Sequence, residues 1–263
     1  TKTKLLIYLG GKCDWTRSMF DVRSIDPVAR KLVFEARTIF NGVGKGARFF
    51  LEDDLSLLDA PGEFYVDEAS HVLYYKPLSA GHPDQLGIRR PVVNRLIEIK
   101  GSSPEQRASN IRIEGLALEQ TDCLPHQPRW AYSGHTDGAL VWLGNASDTV
   151  IRNCHLKNSG RHGIMVVGHN TGHLITGCRI EHMGLNGVSF ANRFLAPDGK
   201  SPAEGRCEGN RLHNTHVSHV GEIHTYAECV TIFHASHNEV DHCVLDNSVR
   251  YGITVRGNTG VQY

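Results

Sequence analysis

The chain has 263 residues, enough for one large domain or two small ones, and its 28 basic and 28 acidic side chains give a formal net charge of zero. This balance provides no electrostatic basis for binding nucleic acid or an acidic membrane surface. No apolar run approaches the roughly 20 residues of a membrane span, and the first residues, TKTKLLIYLGG, lack the long apolar core of a signal peptide. We therefore expect a partner other than nucleic acid or a membrane.

Residues 1–90 predict a β-rich subdomain. LLIYLGG, SMFDVRSID and KLVFEAR have the composition of ordinary, sandwich-like strands. GEFYVDEASHVLYYKP predicts a hairpin with its turn at DEAS. The segment HPDQLGIRRP then connects this subdomain to a second region over residues 91–263.

The second region contains one sequence pattern that recurs five times. Apolar residues fall at the fourth, seventh and ninth places, and the interval from Cys154 to Cys178 indicates a basic unit of 24 residues that inserts lengthen elsewhere. A second short strand follows each turn, such as GIMVVGH at 163–169. The repeating segments are NIRIEGLAL (110–118), DTVIRNCHL (148–156), GHLITGCRI (172–180), GNRLHNTHV (209–217) and HNEVDHCVL (237–245).

These short, alternating strands cannot bury an apolar face alone, but stacked rungs form a continuous core. The sequence therefore predicts an all-β fold, a right-handed parallel β-helix with an N-terminal β-rich subdomain. An antiparallel sandwich is the main alternative, and it would not keep equal columns over five rungs. We also expect the helix to be truncated at the C-terminus, because the chain stops within the repeat at GNTGVQY.

The cysteines fit the same repeat. There are seven, an odd number, and no CxxC pair occurs, so neither a disulfide framework nor a zinc knuckle is indicated. Three of them occupy the seventh place of the repeat. We expect small core residues that recur because each fills the same slot of a column.

The block ARFFLEDDLSLLDAPGEFYVDEASHVLYYKP, followed by LIEIKG, NIRIEGLALEQTD and rungs rich in His and Asn, resembles bacterial β-helix carbohydrate-active enzymes. It is similar to glycoside hydrolases of family 141 and related β-helix proteins, from about Trp15 to Gly257. The resemblance implies an extracellular or periplasmic enzyme that acts on glycosidic bonds of a plant or algal polysaccharide or oligosaccharide. Such enzymes are much longer, so further rungs could hold part of the active site.

Function in such a fold is expected where turns lengthen into a cleft. EQTDCLPHQPRWAYSGHTD (119–137) and SHVGEIHTYAE (218–228) extend the same corner, on either side of the short turns KNSGRH (157–162) and EHMGLN (181–186). We expect the two inserts to form walls and the short turns to form a floor. A third insert, at 194–209, leaves from another corner and predicts a lid or a solvated loop.

Three acidic residues of this corner are candidate catalytic groups, because glycosidases use two carboxylates. Glu181 or Glu228 would be the general acid, with a pKa raised by burial or by a nearby carboxylate. Asp246 would be the nucleophile or base. It lies two rungs from Glu181, so the backbones of the two residues are about 10 Å apart if rungs rise by ~4.8 Å. The candidate sugar-binding residues are Trp130, Asp137, His182, His219, His224, Tyr226 and Arg250.

The same side chains have a structural interpretation. Asn and His at β-helix turns often satisfy only turn backbone groups and one another, and an aromatic residue can simply anchor a long loop. No cofactor or metal is expected. His213, His216 and His219 are spaced by three, and in a strand that spacing alternates between faces, so they do not converge as a zinc triad.

Two rival functions remain open. A polysaccharide lyase would use Lys157, Arg161 and Arg250 to neutralise a uronate carboxylate beside the proton that is removed. A non-catalytic β-helix, of the tailspike or adhesin kind, would show regular rungs and few long inserts. The two inserts that share one corner favour a cleft.

Overall fold

In a computed structural model, the chain divides into two compact units, one containing Thr1–Arg89 and one that begins at Arg90. The structure describes residues 3–8, 17–35, 43–79, 82, 85–123, 138–192 and 205–256. Within these ranges, the one helical element is the short 3-10 turn Leu55–Leu57. No helix in the described part of the chain is both long and apolar enough to cross a membrane.

The first unit contains a small antiparallel sheet and a hairpin. The sheet has the order β3-β2-β1-β4, and its core is formed by Leu5, Ile7, Phe20 and Val22. The hairpin β5–β6 lies where the sequence predicts it. The strands are β1 (Lys4–Tyr8), β2 (Arg17–Asp26), β3 (Lys31–Phe34), β4 (Phe49–Glu52), β5 (Phe64–Asp67) and β6 (Val72–Tyr75).

The second unit consists of three parallel sheets that each rung visits in turn. Sheet 1 comprises β7 (Arg95–Lys100), β11 (Ala139–Ser147), β14 (His162–Thr171), β17 (Val188–Ala191), β21 (Glu228–Phe233) and β24 (Tyr251–Arg256). Sheet 2 comprises β9 (Arg112–Glu114), β12 (Val150–Arg152), β15 (Leu174–Thr176), β19 (Arg211–His213) and β22 (Glu239–Asp241). Sheet 3 comprises β10 (Ala117–Glu119), β13 (His155–Ser159), β16 (Arg179–Met183), β20 (His216–Val220) and β23 (Val244–Leu245).

Every pairing within these sheets is parallel, and β8 (Ala108–Ser109) and β18 (Cys207–Glu208) add short parallel pairings to β11 and β14. Successive strands of one sheet are separated along the chain by strands of the other two. The unit is therefore a right-handed parallel β-helix, and the predicted fold is confirmed.

The predicted columns run in register through the core. In the fourth column Ile113, Ile151 and Ile175 are aligned across sheet 2 and are buried. In the ninth column Leu156 and Ile180 are aligned across sheet 3 and fully buried. The first residue of the seventh column is not buried as predicted. Leu116 is 45% exposed because it precedes β10, the edge strand of its sheet.

The seventh column takes small residues with a donor on Cβ. The thiols of Cys154, Cys178 and Cys243 donate to the carbonyl two residues earlier, at 3.2, 3.4 and 3.2 Å. Thr215 makes the same bond with its hydroxyl, at 2.9 Å. The described cysteines are free thiols. The column therefore repeats because a thiol or hydroxyl on Cβ can donate to the carbonyl two residues earlier while the side chain packs against the core.

Three further columns hold left-handed backbone, and they form the corners of each rung. Apart from Gln120, these columns contain only Asn, Asp, His and Gly, which tolerate a positive φ. The first corner is formed by Asn110, Asp148, Gly172, Gly209 and His237; the second by Gly115, Asn153, Gly177, Asn214 and His242; and the third by Gln120, Asn158, His182, His219 and Asn247.

Candidate active site

Glu181 lies on the outer face of sheet 3, with a side chain that is 11% exposed. Arg179 Nε donates to Oε2 at 2.8 Å, and His155 Nε2 lies 2.7 Å from Oε1. Burial alone raises the pKa of this carboxyl, but the hydrogen bonds from Arg179 and His155 outweigh burial and lower the pKa. Of the two candidates for the general acid, Glu181 therefore lacks the raised pKa that this role requires.

Glu228 opens β21 at the corner between sheets 3 and 1, and it is 2% exposed. Thr231 Oγ1 donates to Oε2 at 3.0 Å, and Arg250 Nη1 donates to Oε1 at 3.4 Å. Arg256 Nη2 lies further away, at 3.9 Å. Burial raises the pKa of Glu228, and the hydrogen bond and the two cations lower it by less. The pKa of Glu228 is therefore shifted in the direction that a general acid requires.

Aromatic rings surround the two arginines beside Glu228. The Arg250 guanidinium lies 3.7 Å from the ring centroid of Tyr226 and 4.5 Å from that of Tyr251. Arg256 Nη1 donates to the Tyr226 hydroxyl at 2.6 Å. We call these five residues, Glu228, Arg250, Arg256, Tyr226 and Tyr251, the Glu228 cluster. The cluster joins a carboxyl, two cations and two aromatic rings in neighbouring rungs.

A buried polar ladder continues from this cluster into the preceding rungs. The Glu228 backbone N–H donates to Asn186 Oδ1 at 3.0 Å, and Asn186 Nδ2 donates to Ser189 Oγ at 3.1 Å. Ser189 Oγ also lies 3.2 Å from His162 Nδ1. His162, Asn186 and Ser189 are fully buried. The ladder fixes the backbone from which the Glu228 side chain projects.

Asp246 occupies a different environment. Its side chain is 43% exposed and accepts from His216 Nε2, which lies 3.0 Å away on the outside of sheet 3. Its backbone oxygen accepts from the Cys229 thiol at 3.5 Å, so the chain at Asp246 lies next to the start of β21. Among the contacts of the described residues, none joins the carboxylates of Glu181, Glu228 and Asp246.

The predicted sugar-binding histidines are held by turn structure. His182 and His219 both have positive φ, and their rings stack at 4.8 Å. His182 Nδ1 also lies 2.8 Å from Glu222 Oε1. His224 is buried, and its Nε2 lies 3.7 Å from the Cys123 thiol. Their contacts support the structural interpretation, whereas Tyr226 and Arg250 belong to the Glu228 cluster.

The short turns form a floor on which the second insert lies directly. The backbone N–H groups of Ile223 and His224 donate to the Gly184 carbonyl at 3.1 and 2.7 Å. The bond between Cys123 and His224 joins the base of the first insert to the second. The short turn that contains Gly184 therefore supports the second insert directly, because Gly184 carries no side chain that would hold the insert away. Trp130 and Asp137 lie outside the described residues.

The cations that a lyase would need have other roles in the structure. Lys157 forms an ion pair with Glu119 at 3.1 Å. Arg161 is fully buried, at 1% exposure. Arg250 donates to Glu228. The basic side chains of this corner are therefore paired with protein groups or buried, rather than placed to neutralise a uronate carboxylate.

The histidines of the rejected zinc triad are divided between two sheets, with His216 and His219 both in β20. His213 ends β19 in sheet 2, and His216 begins β20 in sheet 3, because the left-handed Asn214 turns the chain between them. His213 instead lies close to Asp241 and His242. The separation of His213 from the other two histidines therefore comes from a corner rather than from alternation within one strand.

Sequence reasoning missed three members of this region. Arg256, Ser189 and Thr231 lie on the outer face of sheet 1, where Ser189 and Thr231 are aligned in register. Strand alternation in GVSFANR, CVTIFHA and GITVRGN was the signal that could have found them. Nothing in that alternation indicates that the outer face would be buried.

Comparisons with known proteins establish the fold. Residues 137–262 match the family model of the right-handed β-helix region. No curated protein matches the chain. The chain is similar to a solved structure of a glycoside hydrolase, with a TM-score of 0.67 and 16% identity, over 90% of this chain and 49% of that chain. It thus spans about half the length of that protein, and both matches agree with the resemblance drawn from the sequence.

Proposed function

We propose that this protein is a glycoside hydrolase that cleaves a plant or algal polysaccharide or oligosaccharide, with Glu228 as general acid. The observation that carries the proposal is the buried carboxyl of Glu228, whose pKa burial raises. A glycosidase needs one carboxyl that stays protonated near neutral pH to protonate the leaving oxygen. The glycoside hydrolase that shares this fold supports the reaction class. Such substrates imply an extracellular or periplasmic location.

The arginines of the Glu228 cluster have a role in this mechanism. Proton transfer to the sugar oxygen leaves a buried carboxylate, which is costly unless cations lie beside it. Arg250 and Arg256 lie 3.4 and 3.9 Å from Glu228 Oε1. At these distances the two cations lower the pKa of Glu228 by less than burial raises it, and both would stabilise the product carboxylate. Tyr226 and Tyr251 would offer ring faces to sugar C–H groups.

Asp246 is the second carboxylate of the proposal. It follows β23, and Arg250, four residues later, reaches Glu228. An exposed carboxylate at this corner could activate water or attack the anomeric carbon. A separation of roughly 5–5.5 Å between the carboxyl groups would give retention, and roughly 6.5–9.5 Å would give inversion.

The test uses the full-length protein with a panel of neutral and uronate-containing polysaccharides. Reducing ends and the ultraviolet absorbance of unsaturated products are followed together. We expect reducing ends without absorbance, a loss of roughly 10²–10⁴-fold for Glu228→Gln and a clear loss for Asp246→Asn. Glu114→Gln is the matched control, because Glu114 is ion-paired with Arg152 on sheet 2.

Other outcomes would reject the assignment. Full activity of the Glu228→Gln variant would show that Glu228 is not the general acid. Absorbance that rises with the reducing ends would identify a lyase. The absence of both signals over the whole panel would favour the non-catalytic β-helix.

A further inference from the structure

Three metal-ligating side chains meet at the corner between sheets 2 and 3. His213 and Asp241 end the adjacent strands β19 and β22 and are aligned in register, and His242 follows directly. One ligand atom from each residue lies within 4.8 Å of the other two. The three residues, which we call the His213 cluster, belong to neither the Glu228 cluster nor its ladder.

One oxygen of Asp241 receives more donors than it can bind well. His213 Nδ1, His242 Nδ1 and Arg211 Nη2 lie 2.7, 2.6 and 2.8 Å from Oδ2. A carboxylate oxygen has about two lone-pair sites. Three donors therefore crowd a single oxygen, and two of them are imidazole nitrogens that can also bind metals. One cation placed between the three residues would replace both imidazole donors.

The charges around the cluster favour a cation. Arg211 donates through Nε to Asp241 Oδ1 at 2.9 Å and also lies 3.5 Å from Glu239. Two carboxylates against one guanidinium leave one negative charge at this corner. Arg211 can keep its bond to Oδ1 while Oδ2 turns to a metal, in the way that outer groups orient a ligating carboxylate.

We propose that His213 Nδ1, His242 Nδ1 and Asp241 Oδ2 form a binding site for a divalent transition metal such as zinc. Two imidazoles and one carboxylate are ligands that zinc accepts, at distances of about 2.0–2.2 Å, with a fourth position for water. The metal would join two consecutive rungs. Because the unfolded chain does not hold the three ligands together, binding would stabilise the folded state.

The test is calorimetric titration of chelator-treated protein with zinc chloride. We expect one zinc per chain, and we expect the double variant His213→Gln/His242→Asn to weaken binding by about 100-fold. Asn suits the left-handed backbone at 242, as at Asn153 and Asn214 in the same column. His237→Asn, an exposed left-handed histidine of the same rung, is the matched control and should bind zinc normally.

Thermal unfolding provides a second readout. Zinc should raise the melting temperature of the wild type and of His237→Asn, but not that of the double variant. If circular dichroism shows that the double variant is unfolded, the Asp241→Asn variant, which keeps the side-chain shape, replaces it in both the zinc titration and the thermal unfolding. Failure of the wild type to bind zinc, or unchanged binding in the folded ligand variants, would overturn the proposal. Neither result depends on glycosidase activity.

Discussion

Glu181 and Glu228 occupy adjoining faces of the same β-helix, and their pKa values shift in opposite directions. Both residues are nearly inaccessible to solvent, at 8% and 2% exposure. The difference lies in their donors. Arg179 and His155 hold both Glu181 oxygens at 2.7–2.8 Å, whereas the nearest cation to Glu228 lies at 3.4 Å. Burial alone therefore does not decide the direction of the pKa shift; the distance of the compensating donors does.

The two faces also differ in how they are built. The outer face of sheet 3 carries partly exposed pairs, such as the ion pair of Lys157 with Glu119 and the hydrogen bond between His216 and Asp246. The corner at Glu228 rests on a fully buried polar ladder and on close backbone contacts at glycine. We therefore expect substitutions at the corner to cost far more stability than the same kinds of substitution on sheet 3.

The largest expected effect is that of Gly184→Ala. A Cβ at this position would overlap the carbonyl oxygen of Gly160 and approach Ile223 Cδ1 at 3.0 Å. Because backbone cannot move aside easily, we expect the free energy of unfolding to fall by about 3 kcal/mol. Urea denaturation of the purified variant measures this change.

Gly115→Ala is the control for that substitution. Gly115 also lies at a turn and has a φ of +67°, but an added Cβ would meet nothing within 4 Å. Only the left-handed backbone then opposes alanine, at a cost of about 1 kcal/mol. Equal losses in the two variants would show that the corner is not tightly closed at Gly184.

The second comparison replaces one arginine on each face. Arg250→Met removes a partner of the buried Glu228, and the Arg250 side chain is itself only 12% exposed. We expect a loss of about 3 kcal/mol, because the variant loses the buried contacts of the Arg250 guanidinium with the Tyr226 and Tyr251 rings and its hydrogen bond to Glu228. Arg179→Met removes a partner that is 60% exposed, and we expect a loss of about 1 kcal/mol or less.

Chemical denaturation of both variants at neutral pH measures the difference. Circular dichroism spectra recorded before denaturant is added establish that each variant starts from the folded state. A larger loss for Arg179→Met would reverse the comparison between the two faces.

The third comparison uses pH. The ordinary pKa of both glutamates is 4.5. The lowered pKa of Glu181 means that its stabilisation is present above pH 4.5 and is lost as the pH falls through the folded-state pKa. The raised pKa of Glu228 means that its contribution is fully present below pH 4.5 and is lost as the pH rises through the folded-state pKa.

Urea denaturation of the wild type, Glu181→Gln and Glu228→Gln over the acid range tests these signs. The stability difference between wild type and Glu181→Gln should grow with pH, by about 1 kcal/mol for its charged hydrogen bonds. The difference for Glu228→Gln should shrink with pH. Burial lowers the pKa of His173 to about 4, but that residue is common to all three proteins and cancels. Parallel profiles for the two variants would contradict the assignment.

The smallest expected effect is that of Lys157→Ala. Lys157 and its partner Glu119 are each about one-third exposed, at 33% and 35%, and lie 3.1 Å apart on sheet 3. Solvent and salt screen such a pair, so we expect a loss of less than about 0.5 kcal/mol that vanishes in high salt. Melting temperatures at low and high ionic strength measure it, and a loss comparable with that of Arg250→Met would refute the distinction between the faces.

Much of the fold was predictable because it depends on a repeat. Ile151, Cys154 and Leu156 recur at fixed spacing, and the structure buries their column partners in register. The spacing also defines the corners, where Asn, Gly and His share left-handed backbone. Leu116 was wrongly predicted to be a core residue, because the column that contains it begins at an edge strand.

The candidate site was predictable only as a set of residues. The turn column that contains Glu228 was visible, but nothing in the sequence separated it from Glu181. That distinction required the distances to Arg179 and Arg250. The close packing of the second insert on the short turn was not predictable either, since Ile223 and His224 bond to Gly184 through backbone groups that have no sequence signature.

The sequence by itself determined the rung, because side-chain period, left-handed corners and small core slots are local properties of the chain. The tertiary structure decided which side chains meet. Residues about one rung apart in sequence, such as His213 and Asp241 or Glu228 and Arg250, become neighbours only when rungs stack. Their protonation, charge balance and ligand capacity depend on ångström distances and on exclusion of water, which no spacing along a single chain encodes.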